Sequence, residues 1–175
     1  KPALKPGNLP TIKNIPMSFF FKTLLGNLLL NKGPQDLPYS LLLMKLSLLV
    51  YFLTGLPGIS ISLSFAQSLL AMLLDVLVLL AFVYACLKAF NLQARFVQAI
   101  TALAGVGAVF QLLPLPLLYQ LQGLQEGEPI APGLSIFLLI LVSWNLAVIA
   151  HIFRATFNIR LLAAMALTIS YIVIS

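Results

Sequence analysis

Asp75 interrupts a run, Ser68 to Cys86, in which nearly every other residue is apolar. The run is long enough to cross a bilayer, and an ionised carboxylate at its centre costs at least about 2.5–3.5 kcal/mol to insert. Such a group must be hydrated, paired or protonated. Two other polar side chains reach a similar depth when the flanking runs are laid out as helices. Gln111 lies eight residues and Asn145 eleven residues from the same side of the bilayer, against ten for Asp75. At 1.5 Å per residue the three differ by about one helical turn. Asp75, Gln111 and Asn145 therefore form the candidate intramembrane polar cluster.

That cluster has two chemical readings. A titrating Asp75 would serve a proton or cation relay, or bind a solute. A neutral Asp75 would hydrogen-bond helices together or pair with another subunit. Relays usually line up several acids or a matching base along a path. The other acids, Asp36, Glu126 and Glu128, fall in connecting segments. The cohesive role therefore comes first, and no paired-carboxylate catalysis is expected.

The remaining chemical inventory is short. The sequence contains no phosphate-binding loop, no GxSxG and no HExxH. Gly105-Val-Gly107 sits inside an apolar helical run and reads as close helix packing. So do the small-xxx-small pairs Ala104/Ala108, Ala81/Ala85 and Ser143/Ala147. His151 is the only histidine, three residues before Arg154. It reads as a hydrogen-bonded packing residue, with haem ligation in a larger complex as the alternative. Cys86 is the only cysteine, so no disulfide can form within the chain. No catalytic residue, metal ligand or cofactor is expected, and the chain does not read as an enzyme.

The elements that must position these residues are membrane helices. Of 175 residues 61% are hydrophobic and 8% charged, against roughly 25% charged in soluble domains. The expected fold is all-α, a polytopic membrane helix bundle of five transmembrane helices plus an N-terminal interfacial amphipathic helix. Three segments are expected: a flexible basic Pro-rich tail at 1–16, the amphipathic helix at 17–33, and the five-helix domain at 39–175. In the amphipathic helix Phe20, Phe21, Leu24, Leu25, Leu28 and Leu29 form the apolar face. Lys22, Thr23, Gly26, Asn27 and Asn31 form the polar one. The spans are placed at about 39–56, 65–87, 96–119, 134–153 and 159–175, near the 20 residues a bilayer needs. The fifth is the shortest: either Arg160 snorkels from inside it or the sequence stops before the span does. Pro114 and Pro116 can kink the third or end it early.

Charge sets the orientation. The net charge is +6, but the basic residues cluster before the first span and beside span ends, which argues against nucleic acid as a partner. Lys22, Lys32, Lys88, Arg95, Arg154 and Arg160 are candidate headgroup contacts. The loops after spans two and four carry Lys88 with Arg95 and Arg154 with Arg160; those after spans one and three carry no basic residue. The positive-inside rule then puts the N-terminus in the cytoplasm and the C-terminus outside, in a bacterial inner membrane.

Phe19 to Leu30 (FFFKTLLGNLLL), Gly33 to Pro38 (GPQDLP) and the five following spans resemble bacterial members of the Yip1-domain family over residues 17–175. Eukaryotic members carry a DLxGP-like stretch near their first span. Here Gly-Pro precedes Asp-Leu, so no functional residue is carried over. The resemblance implies a non-enzymatic membrane protein that acts through partners. The expected role is an accessory or scaffold subunit that packs against other integral membrane proteins, in a multi-subunit complex or homo-oligomer. The alternative is a small oligomeric transporter or ion- or proton-conducting protein using Asp75.

Overall fold

A computed structural model describes residues 17–122 and 132–175. The tail expected at 1–16 and the loop acids Glu126 and Glu128 lie outside the described residues. Seven α-helices follow in order: α1 Met17–Leu28, α2 Leu41–Ile59, α3 Phe65–Ala89, α4 Phe96–Leu112, α5 Leu115–Gln122, α6 Pro132–Phe157 and α7 Leu161–Ile174. Single 3-10 turns precede α2 (Pro34–Asp36) and α4 (Gln93–Arg95). No strand occurs among the described residues.

Among the described residues four helical stretches are long and apolar enough to cross a membrane: Leu41–Ile59, Phe65–Ala89, Gln93–Leu121 and Pro132–Phe157. This corrects the expectation of five. The last helix, α7, has 14 residues, about 21 Å at 1.5 Å per residue, against roughly 30 Å of hydrocarbon. Arg160 stands outside it as the N-cap, so the helix gains no length from a snorkelling start. The third stretch is broken where the prolines indicated. Leu112 ends α4, and α5 resumes at Leu115 after Pro114, whose ring supplies no backbone donor. Pro57, by contrast, is carried inside α2.

Local chemistry sets several of these ends. Ser40 caps α2 by accepting from the Leu43 amide at 3.4 Å, and Ser64 with Gln67 forms a capping box on α3. The chain leaves α3 and α6 through Asn91 and Asn158, both at φ 55°. Asparagine tolerates that left-handed conformation better than most residues. After α1 the same duty falls on Leu30, at φ 61°. The amides of Asn31 and Lys32 both fold back onto the Gly26 carbonyl, at 2.8 and 3.0 Å.

The bundle is organised around α4. Eleven of its residues are buried, many of them small: Ala99, Ala102, Ala104, Gly105 and Ala108 among them. Small residues let backbones approach closely, which in lipid replaces the hydrophobic drive as the source of packing energy. A Cβ on Gly105 would lie 2.8 Å from Leu24 of α1, and one on Gly107 would lie 2.6 Å from the Tyr51 ring of α2. The two glycines thus seat two different neighbours. Of the three small-xxx-small pairs only Ala104/Ala108 packs inside the bundle; Ala81, Ala85, Ser143 and Ala147 are exposed.

The first helix forms, but its polar face is not turned to water, as a helix floating in the interface requires. Thr23 and Asn27 are completely buried, with Phe20, Leu24 and Leu28, against the bundle. Phe19, Phe21, Leu25 and Leu29 point outward. Asn27 satisfies its Nδ2 on the Thr23 carbonyl at 2.9 Å, while Thr23 Oγ1 and Asn27 Oδ1 have no partner. The segment is pinned from outside as well. Trp144 donates from its indole nitrogen to the Leu28 carbonyl at 3.0 Å. Gln98 donates to the Leu37 carbonyl at 2.6 Å.

Candidate functional site

The α2–α3 connection, residues 60–64, centres on residue 62, and Tyr51 lies eleven residues before it and Asp75 thirteen after it, a near-symmetry. In an antiparallel hairpin that near-symmetry brings them close to one level. Tyr51 donates its hydroxyl to Asp75 Oδ2 at 2.5 Å. The Ser175 hydroxyl, at the end of α7, donates to Asp75 Oδ1. Tyr171, one turn earlier on α7, lies on the same cavity wall as Tyr51 and Ser175. One carboxyl group therefore ties α2, α3 and α7 together. Its partners are hydroxyls, and no cation pairs with it among the described residues.

Tyr51, Tyr171 and Ser175 also form part of the wall of a half-open cavity of about 210 Å³. Gln111 and Asn145 lie on the same wall, with Leu79, Leu103, Gly107 and Phe110 supplying apolar surface. Depth along the helices thus brought Gln111 and Asn145 to one chamber, and Asp75 to its edge behind two hydroxyls. It did not give their bonds. Gln111 Oε1 accepts from Thr54 of α2 at 2.8 Å, not from Asp75. Asn145 Oδ1 is buried without a partner. Tyr51, Thr54, Tyr171 and Ser175 are the residues that depth counting missed. The near-symmetry about the α2–α3 turn was the available signal for Tyr51; nothing comparable marked α7.

No family model, curated protein or solved structure matches this chain. The reading of the site therefore rests on its own geometry.

His151 donates from Nε2 to the Lys32 carbonyl at 2.9 Å, so it fastens the segment after α1 to α6. That bond occupies the nitrogen a haem iron would take. Among the described residues no three His, Cys, Asp or Glu side chains gather as a metal site.

The basic residues divide. Lys88, Arg154 and Arg160 are exposed at the end of the bundle formed by the C-termini of α3 and α6 and the N-termini of α4 and α7. Lys22 is exposed on α1. Lys32 lays its stem over Gly26 and holds its ammonium 5.6 Å from the Phe19 ring centroid. Arg95 departs from the expected headgroup role. Its Nη1 donates to the Ala155 and Thr156 carbonyls at 3.3 and 2.7 Å. These are two of the last carbonyls of α6, which have no partner within their own helix.

Proposed function

We propose that this protein is a non-enzymatic integral membrane accessory or scaffold subunit that packs against other membrane proteins. The observation that carries the reading is the allocation of Asp75. The only acid in the spans has both carboxyl oxygens engaged by hydroxyls of the same chain, from α2 and α7. A group so engaged serves cohesion, and what is left to act on the surroundings is the outer surface. There Ala81 and Ala85 of α3 present an unoccupied small-xxx-small stripe, the kind of surface against which another membrane helix packs. The resemblance to Yip1-domain proteins points the same way. The clustering of Lys88, Arg154 and Arg160 at one end supports a cytoplasmic placement of that end, and a bacterial inner membrane as the location.

A second reading, a small oligomeric transporter or ion-conducting protein, is favoured by one observation. The chamber beside Asp75 is half-open and includes the unpartnered Asn145 oxygen. An acceptor held without a partner in hydrocarbon is costly, and a solute or ion passing through would relieve it. The two readings part on Asp75→Asn, which keeps an acceptor but cannot titrate. The scaffold reading expects normal assembly in mild-detergent co-purification and no Asp75-dependent flux in liposomes. Proton or cation flux through the wild-type protein that disappears in Asp75→Asn replaces it with the transporter.

A further inference from the structure

A second concavity lies away from Asp75. It is a groove of about 660 Å³ between α6 and α7, closed on one side by Leu30 from the turn after α1. Along α6 it runs from Ser143 to Arg154, past Leu146, Ala147, Ala150 and His151; Leu161, Met165 and Ile169 supply the α7 side. Ala147 and Ala150 make it deep, because a small side chain leaves the space a larger one would fill. Thr168, also on the wall, has its hydroxyl engaged by the Ala164 carbonyl at 2.9 Å. His151 is engaged by the Lys32 carbonyl. Apart from the Ser143 hydroxyl at its far end, the lining is thus apolar or satisfied along its length, with a single exception.

That exception is Arg154. It is exposed and hydrogen-bonds to nothing among the described residues, whereas Arg95, two helices away at the same end, is engaged with α6 carbonyls. Arg160 precedes Leu161, the first α7 residue of the groove wall, so a second unpaired basic residue stands next to the groove along the chain. No carboxylate lies near in sequence: the described acids are Asp36, which accepts from Gly33, and Asp75, which accepts from Tyr51 and Ser175.

We propose that this groove is a binding site for one anionic phospholipid, with an acyl chain along Ala147 and Ala150 and the phosphate at Arg154 and Arg160. Basic pockets between membrane helices recognise anionic headgroups in this way. The dimensions favour a lipid over a partner helix. The eleven-residue path from Ser143 to Arg154 covers about 16 Å. Spread over that length, 660 Å³ gives a mean cross-section of about 40 Å². That is about a third to a half of the disc of an α-helix 10–12 Å across, and it suits extended hydrocarbon. The inference is independent of the scaffold reading.

Delipidated full-length protein in neutral detergent tests it by native mass spectrometry, titrated with phosphatidylglycerol or phosphatidylcholine of matched chains. One phosphatidylglycerol should be retained in preference to phosphatidylcholine. Arg154→Gln should reduce that preference about fivefold, the equivalent of about 1 kcal/mol for one basic contact. Ala147→Trp, a substitution at an exposed position on a helix, should block both lipids while leaving the circular dichroism spectrum unchanged. Inorganic phosphate at millimolar concentration should not compete, since most of the affinity is apolar. Equal retention of the two lipids overturns the proposal. So does binding that survives Ala147→Trp, and so does an Ala147→Trp protein that keeps its lipid but loses a co-purifying membrane protein, which would assign the groove to a helix.

Discussion

Removing the Asp75 carboxyl should cost a defined and modest amount, because its bonds can be counted. Asp75 accepts from Tyr51 at 2.5 Å and from Ser175. Hydrogen bonds between membrane helices contribute on average about 0.6 kcal/mol and at most about 1.7. Asp75→Leu, which loses both, should destabilise the bundle by about 1–2 kcal/mol. Tyr51→Phe loses one and should cost about 0.6–1.7 kcal/mol. Asp75→Asn keeps an oxygen acceptor, and either hydroxyl can rotate to accept from the new amide. It should stay within about 0.5 kcal/mol of wild type. The assay is reversible unfolding of the protein in mixed micelles by added sodium dodecyl sulfate, followed by loss of ellipticity. The decisive quantity is the coupling in the Asp75→Leu/Tyr51→Phe cycle. Independent sites add to within about 0.3–0.5 kcal/mol; bonded partners should couple by more than that. An additive double mutant refutes the clasp, because the 2.5 Å contact would then carry no energy.

Gly107→Val should be at least as damaging as Asp75→Leu. Its Cβ alone would lie 2.6 Å from the Tyr51 ring, and forcing such a contact costs about 1–3 kcal/mol; the same unfolding assay reads it, and a neutral result removes the close α2–α4 approach. Arg95→Ala strips the charged donor from the Ala155 and Thr156 carbonyls and should cost about 1.5–3 kcal/mol, with faster amide exchange confined to the last turn of α6. His151→Phe should speed exchange at residues 29–33, which it fastens through the Lys32 carbonyl, while leaving α4 protected. For topology, in a Cys86→Ser background, a cysteine at Ser60 should react with an impermeant thiol reagent in intact cells and one at Gln93 should not; labelling at Gln93 reverses the orientation.

Composition and hydropathy alone established an all-helical chain of apolar stretches, but they counted five spans where four among the described residues are long and apolar enough to cross a membrane. Pro114 broke the third stretch where its missing donor said it would. That break is legible because it depends on backbone groups within a few residues. The depth of Asp75, Gln111 and Asn145 was legible too, since a helix converts residue number into distance. Rotation about each helix axis was not. In a soluble protein apolar periodicity identifies the inward face. In lipid the inward and outward faces are both apolar, so α4, largely enclosed, and α3, largely exposed, read alike. Only the assembled bundle therefore decided that Asp75 meets Tyr51 and Ser175 while Gln111 meets Thr54. It also decided that Arg95 turns inward to α6 while Arg154 stays free. The same ambiguity misled the reading of α1. Thr23 and Asn27 look like a water-facing stripe in the sequence. The small surface of Gly105 and the donor of Trp144 drew the opposite arrangement, with Leu24 seated inward and the polar pair buried beside it.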